Sequence, residues 1–462
     1  MIFFTFKNKY SMNRFIQTFK NIWSIPELKQ RLLYTLALLF VFRVGTFVLL
    51  PGVNAQVLAS MAAQTAGRTD LLGLLNTFTG GAFAKGAIFA LGVMPYITAS
   101  IIIQLLSFAV PYFQRLQQHE GESGRKKLNQ MTRVLTILVT MVQGSGYLTY
   151  LTTQGAIADG LNPVVFWFSG IIILTSGTVF AMWLGERITE KGIGNGVSFI
   201  IMAGIIDQFP QSVAAEFQLQ SGFGFVIEMA IWFAAVMGII VVIQAVRRIP
   251  LQFAKRMVGR TGASLPAAGN RDYLPIKLNA AGVMPIIFAQ AMMFIPSTIA
   301  QFMSGSGSPT GFLAQLNDYT SFAHNSFYFV LVVVFTYVYT ALIVNPRQYS
   351  EYLKRQNAFI PGVKPGENTA EFIDTITTRV TLPGAILLGF ISILPGVAAY
   401  MGVNSGFARF FGGTSVLIMI GVILDTLTQI QSYLLLSKYD GLIKGGKIEG
   451  RGGLVAVGEG GI

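Results

Sequence analysis

The side chains that could carry covalent or metal chemistry are few. The chain holds no cysteine and two histidines, His119 and His324. That removes disulfides, thiolate zinc sites, iron–sulfur clusters and thiol nucleophiles, and leaves little for a histidine-bound metal. No paired carboxylates and no nucleophile–base spacing stand out. The nearest phosphate-loop pattern, Gly441-Leu-Ile-Lys-Gly-Gly-Lys447-Ile448, lacks the Ser or Thr that would ligate magnesium and follows no strand. Gly192-Ile-Gly-Asn-Gly196 precedes an apolar run and fits a tight turn. No enzyme and no cofactor is expected. The groups to follow are the ionisable ones in or beside apolar stretches, Arg43, Glu228 and Asp425. Such groups usually mark a transport pathway, but these are too few for an ion-coupled carrier. Arg43 fits an internal pair or a snorkelling cation, and Asp425 fits a polar contact between helices better than a proton relay.

The elements that would position them are set by composition. Of 462 residues, 53% are hydrophobic and 11% charged, against roughly 25% charged in a soluble domain. Mean hydropathy is +0.59, so a soluble enzyme is excluded. A bilayer core takes about 20 mostly apolar residues per helix. Ten segments qualify, at roughly 32–50, 86–106, 131–151, 164–184, 193–209, 225–246, 282–304, 327–345, 380–401 and 414–436. Their runs are continuously apolar rather than alternating, against a β-barrel. The expected class is an all-α polytopic membrane protein of ten transmembrane helices. The expected parts are a cytoplasmic segment 1–31, an N-terminal half 32–209, a C-terminal half 210–436 and a tail 437–462.

The net charge of +13 is unevenly placed. All Lys and Arg except Arg43, Arg68, Lys85 and Arg409 fall in segments that share one side of a ten-span topology. The positive-inside rule then puts both termini in the cytoplasm. Phe15, Ile16, Phe19, Ile22 and Trp23 share one helical face opposite Arg14, Gln17 and Lys20, as in an interfacial helix; a simple lead-in to the first span fits equally. Gly92-Val-Met-Pro95 recurs as Gly282-Val-Met-Pro285, each in the second span of a five-span half. An odd number of spans per half inverts one half relative to the other, with function expected where they meet.

Two further stretches stand out. Leu71 to Ala82 is apolar and half a span long, which suits a re-entrant half-helix or a short external surface helix. Between 247 and 277 lie Arg247, Arg248, Lys255, Arg256, Arg260, Arg271 and Lys277 against one acid, Asp272. Such a cluster could serve topology, bind anionic lipid or dock a polyanion such as RNA. The 346–379 loop carries two Pro-Gly pairs within Ile360-Pro-Gly-Val-Lys-Pro-Gly-Glu367, which shapes a hairpin.

At these residues the sequence resembles the SecY family, pore subunits of the bacterial protein-translocation channel. The matching stretches are Asn76-Thr-Phe-Thr-Gly-Gly81, Ala90-Leu-Gly-Val-Met-Pro-Tyr-Ile-Thr-Ala-Ser-Ile-Ile-Ile-Gln104, Gly121-Glu-Ser-Gly-Arg125, Trp183-Leu-Gly-Glu-Arg-Ile-Thr-Glu-Lys-Gly-Ile-Gly-Asn-Gly196, Ala358 to Glu367, and Phe411-Gly-Gly-Thr-Ser415. The resemblance implies two inverted halves around an hourglass pore that opens laterally to lipid. By position it implies a constriction of Val93, Ile97, Val197, Ile201, Ile287 and Ile418, with Ile101 one turn from Ile97. Such side chains can dewet a gap and part around a passing chain; ordinary packing between spans fits any one of them. It implies a plug at 71–82 (Leu71, Leu72, Leu74, Leu75, Phe78, Gly80, Gly81) and a lateral gate lined by Thr98, Gln104 and Asn279. It implies docking of the SecA motor ATPase and the ribosome on Arg247, Arg248, Lys255, Arg256, Arg260, Arg347 and Lys364. Lys364 replaces the family's usual Arg, so bidentate geometry is lost there. Implied partners also include SecE and SecG subunits, signal sequences, nascent polypeptides and membrane lipid, in a bacterial plasma membrane. A small-solute secondary transporter also uses inverted repeats, and an insertion scaffold without a pore is a third reading. Ile448-Glu-Gly-Arg451 and the glycines after it fit a protease-site linker or a natural tail.

Overall fold

Helix starts in this chain are written in Asn, Pro and Gly. In the computed structural model, Asn162, Asn195, Asn345 and Asn404 cap the helices that follow them, each side chain accepting from a backbone N–H of the first turn. Pro163 and Pro346 occupy the first helical turn, where their missing N–H costs nothing. The structure describes residues 25–54, 56–58, 76–118, 120–158, 162–220, 222–253, 272–293 and 320–444, with Trp23, 315–316 and Asp318.

In chain order the elements are α1 (Pro26–Gly45), α2 (Ala82–Lys85), α3 (Met94–Ala109), α4 (Pro111–Gln118), α5 (Gly121–Thr153), α6 (Pro163–Lys191), α7 (Gly196–Leu219) and α8 (Gly222–Gln244). Strands β1 (Val246–Phe253) and β2 (Asp272–Lys277) come next, followed by α9 (Met284–Met293). The rest are α10 (Phe322–Ile343), α11 (Pro346–Arg355), β3 (Ala358–Phe359), α12 (Glu367–Tyr400), α13 (Ser405–Ala408) and α14 (Gly413–Lys444). Among the described residues seven helices are long and apolar enough to cross a membrane, and α3 with α4 makes an eighth if the bent pair is one span. The other two expected spans correspond to the 20-residue α1 and the short apolar α9. Residues 294–304 of the expected seventh span, the N-terminal interfacial helix as far as Ile22, and residues 448–462 lie outside the described residues. The expected fifth span ends at 209, but α7 continues through Pro210 to Leu219. Position 209–210 thus lies inside α7, which accommodates Pro210, and Ser212 Oγ donates to the Gln208 carbonyl. Asp425 is exposed on α14, so the expected polar contact between helices is not formed there.

Helices approach closely where their contact residues are small. On α5, Thr132, Thr136 and Thr140 are buried at four-residue spacing, and each hydroxyl donates to the carbonyl one turn back. A Cβ at Gly177 of α6 would lie 2.4 Å from the Ile88 carbonyl oxygen, and one at Gly196 would lie 1.9 Å from that of Gly185. The largest buried cluster joins α1, α3, α6, α7, α9, α10, α12 and α14, so both halves share one core.

The chain is mostly helical, but the 246–277 and 346–379 regions add a small sheet that the span count does not contain. Its order is β2-β1-β3, all antiparallel, with Ile249 opposite Leu274 and Gln252 opposite Phe359. Ile249, Leu251 and Ile276 point into a core with Leu353, Ile360 and Ile373, while Arg247 and Arg248 are exposed. The two loops are thus one platform.

Replacing Gly177 by Leu overfills the approach of α6 to the turn before α3. The expected cost is about 1–3 kcal/mol, read as a lowered unfolding midpoint in detergent; an unchanged midpoint would show that this contact is loose.

Candidate functional site

Two short glycine turns place the central apolar residues. Gly92 (φ +53°) and Gly282 (φ +64°) are both left-handed, and each precedes a helix that begins at Met94 or Met284 with Pro95 or Pro285 in its first turn. The repeated tetrapeptide is therefore one repeated conformation, a non-helical turn that releases a helix toward the molecule's centre. From α3 comes Ile97, from α7 Val197 and Ile201, and from α9 Met284 and Ile287; all border a cavity of about 410 Å³. Towards the charged ends of α5 and α6 the same cavity is lined by Ser100, Gln104, Asn195 and Ser198, and by Arg133 and Glu186. Arg133 holds Glu186 through two bonds of 3.1 and 2.7 Å. The cavity is a funnel with a polar mouth and an apolar end.

The other expected constriction residues lie in the same cluster. Val93, Ile97, Ile101, Ile201 and Ile418 are buried, with Val197 and Ile287 half-buried against them. Each sits on a different turn or helix, so the structure brings all seven into one apolar core where the halves meet. Gly421 on α14 has Val283 against it, where a Cβ would lie 2.4 Å from Val283 Cγ2.

Segment 76–93 precedes α3 and packs on α1 and α7. Of the expected half-helix 71–82, Leu71, Leu72, Leu74 and Leu75 lie outside the described residues. The rest is one helical turn at 76–78, then turns in which Gly80 and Gly81 are left-handed at φ +63° and +82°. Phe78 is buried. The segment is held from four sides. Arg43 Nη1 donates to the Gly80 carbonyl at 3.0 Å, and its other nitrogen pairs with Asp207 of α7. Gln208 Nε2 donates to the Asn76 carbonyl at 2.9 Å and Tyr147 Oη to that of Phe83 at 2.7 Å. Arg409 Nη1 reaches Thr77 Oγ1 at 3.4 Å. Gly204 lets the backbone of Phe78 and Gly80 lie directly on α7: a Cβ there would meet the Phe78 carbonyl at 2.6 Å. Arg43 and Lys85 both stand over the Phe47 ring, 4.9 and 4.2 Å from its centroid.

The remaining expected residues are more dispersed. Gln104 lines the funnel and donates to Ser100 Oγ at 3.0 Å. Thr98 donates within α3 to the Met94 carbonyl. Asn279 is buried and donates to the Gly282 carbonyl at 2.8 Å, so it braces the glycine turn. Arg247, Arg248, Arg347 and Lys364 are exposed on the sheet platform. The Lys364 loop is fixed by Thr369 Oγ1, which donates to the Lys364 carbonyl, and by Ser350 Oγ on the Gly366 carbonyl. Lys255, Arg256 and Arg260 lie outside the described residues. Sequence reading missed Asp207, Gln208 and Gly204. The signal was an acid just inside the apolar run of α7, three residues after a glycine and within reach of the one buried-side arginine of α1.

The absence of native cysteine makes the hold on this segment measurable. With a single cysteine at Phe78, Arg43→Gln removes a charge-assisted contact, a class of bond that contributes about 1.5–3 kcal/mol. Thiol labelling at that position should accelerate about tenfold or more; equal rates would mean that Arg43 does not hold the segment.

The comparisons agree with this arrangement. A family model described as SecY matches residues 87–427. The protein translocase subunit SecY of Chlamydia muridarum is 36% identical over 458 residues, covering 94% of this chain and 99% of that protein. The protein translocase subunit SecY of Escherichia coli K12 is 39% identical over 441 residues, covering 93% and 96%. A solved structure reported as that of a protein conducting channel matches with a TM-score of 0.60 at 16% identity, over 87% of this chain and 92% of that one. At that identity the likeness is one of fold. The chain belongs to the SecY family.

Proposed function

We propose that this chain is the central subunit of a protein translocase, a passive polypeptide-conducting channel in the bacterial plasma membrane with both termini cytoplasmic. The observation that carries the reading is the meeting of Ile97 and Ile287, equivalent positions after the two Gly-Val-Met-Pro turns, at the apolar end of one funnel. Large flexible aliphatic side chains there keep a narrow gap dry and yield to a chain that threads it. Val93, Ile97, Ile101, Val197, Ile201, Ile287 and Ile418 form the ring, and the segment up to Gly81 is the plug. Thr98 and Gln104 face the lateral gate, through which membrane segments pass into lipid; Asn279 supports its hinge side. A small-solute carrier would need ionisable groups at the narrow end, whereas Arg43 and Asp207 are spent on holding the plug.

The chain makes no bond, so movement is driven by a partner. The cytoplasmic platform, with Arg247, Arg248, Arg347 and Lys364 exposed and Lys255, Arg256 and Arg260 next in sequence, docks the SecA motor and the ribosome. Exposed cations there steer an anionic partner and make binding salt-dependent. SecE and SecG subunits cover part of the apolar exterior.

Three measurements check the reading. A single cysteine at Ile97, and in a second variant at Ile287, is presented with a stalled secretory chain carrying its own cysteine. Disulfides at both positions that require a signal sequence are expected; none at either, with signal-dependent binding intact, would remove the polypeptide from the ring. Deleting 71–82 should raise resting ion leak through reconstituted vesicles, and a leak equal to the parent's would take the plug role from this segment. Lys255→Glu with Arg256→Glu should weaken ribosome or SecA binding and flatten its salt dependence, by about two in slope if both contact phosphate. Unchanged affinity across the salt series would free these residues from docking.

A further inference from the structure

On the face of the molecule away from the cytoplasmic platform, two acids from adjacent helices meet. Glu216, in the last turn of α7, is fully buried. Glu228, in the second turn of α8, is half-buried and stands beside it: Gln220 joins the two, its backbone N–H donating to the Glu216 carbonyl and its side chain to the Glu228 carboxylate. Glu216 Oε2 accepts the backbone N–H of Asn404 at 3.0 Å, and Glu228 Oε1 accepts from Gln220 Nε2 at 2.9 Å. The other two oxygens, Glu216 Oε1 and Glu228 Oε2, are buried and meet no donor among the described residues. Two carboxylates present only acceptors, so a hydrogen bond between them requires a proton on one. We infer that Glu216 and Glu228 share a single proton and that this proton latches the outer loop between α12 and α14 to the α7–α8 corner.

The charges around the pair do not supply an alternative partner. Glu228 is the only charged residue of α8, and Glu216 is the only one of α7 beyond Asp207, which is taken by Arg43. The outer parts of α6, α12 and α14, residues 162–185, 380–400 and 413–424, carry none. The loop 401–412 carries only Arg409, whose guanidinium turns to Thr77 and borders a small cavity with His324. With no cation beside the pair among the described residues, a proton is what keeps the buried Glu216 and the half-buried Glu228 from repelling. Which of them carries it is a property of the pair.

The latch reaches the plug by a short route. Asn404, held by Glu216, caps α13 by accepting from Gly406 N, and α13 ends beside Arg409. Trp232 of α8 donates Nε1 to the Phe410 carbonyl at 2.6 Å and stacks on Phe209 of α7. Arg409, thus fixed between Asn404 and Phe410, contacts Thr77. Losing the proton to outside water leaves two like charges in an apolar corner; the corner opens, Asn404 is released and the hold of Arg409 slackens. This last consequence rests on the plug reading above, while the shared proton does not.

The test uses the whole chain in vesicles with one added cysteine, at Val403 to report the loop or at Phe78 to report the plug. External pH is raised stepwise, and the infrared band of protonated carboxyl groups is followed alongside. Because the thiolate fraction itself rises with pH, each labelling rate is divided by that of the same variant unfolded in denaturant at the same pH; in the parent this ratio at Val403 and then at Phe78 should rise about tenfold as a carboxyl band is lost. Glu228→Gln keeps the size and supplies a permanent N–H donor, so its ratio should stay low and flat and that band should be missing. A flat ratio in the parent at both positions, or a carboxyl band unchanged by Glu228→Gln, overturns the shared proton. A response at Val403 without one at Phe78 overturns the link to the plug. Neither readout requires polypeptide transport, so failure of the channel reading leaves this test intact.

Discussion

Every backbone N–H and C=O held at membrane depth must find a partner inside the protein, and segment 76–93 is where this chain meets that demand without a continuous helix. Leu50 N donates to the Gly86 carbonyl and Ile88 N to that of Val48, tying the segment to the end of α1. Asn76 turns the chain on itself, accepting from Gly81 N through its backbone and from Ala84 N through its side chain. The carbonyls of Asn76, Gly80 and Phe83 each also accept from a side chain of a different span: Gln208, Arg43 and Tyr147. An irregular segment satisfied this way is fixed only while its neighbours stay in place.

The same economy explains the centre. Aliphatic residues make no directional bonds, so the core where the halves meet is held by shape alone, and its members can separate without leaving a polar group stranded. Polar contacts are kept to the edges. Arg133 and Glu186 hold the funnel mouth, Gly194 N donates to Gln429 Oε1 between α7's approach and α14, and the carboxyl pair with Trp232 holds the outer corner. The halves are thus pinned at both faces around a slippery middle.

The antiparallel sheet joins loops that are separate in sequence. Leu278 N donates to the Ala245 carbonyl at its base, so both strands leave the membrane side by side. Exposed arginines on a platform built on helix ends couple whatever docks there to α8, α11 and α12. Proteins that must transmit a push need this rigidity more than they need surface charge.

Sequence alone determined the quantities that scale with composition: that the chain spans a membrane, how its cations sort, and that two halves repeat. Hydropathy acts residue by residue, so the spans survive without coordinates. The motif resemblance added the family and which aliphatic residues to watch, although spacing by itself left Ile97 and Ile287 indistinguishable from ordinary packing. Tertiary structure decided the pairings between distant residues. Arg43 was visible as a buried cation but not its partner Asp207; Arg409 was visible as an outer charge but not its contact with Thr77; Glu228 was visible at a span edge but not Glu216 beside it. The strands at 246–253 and 272–277 were hidden because two Arg, a Pro and a long interruption mask their alternation. In each case the missing information was which helix faces lie against each other, and that is fixed by small residues such as Gly177, Gly196 and Gly204, whose contribution is the close approach they permit rather than any chemistry of their own.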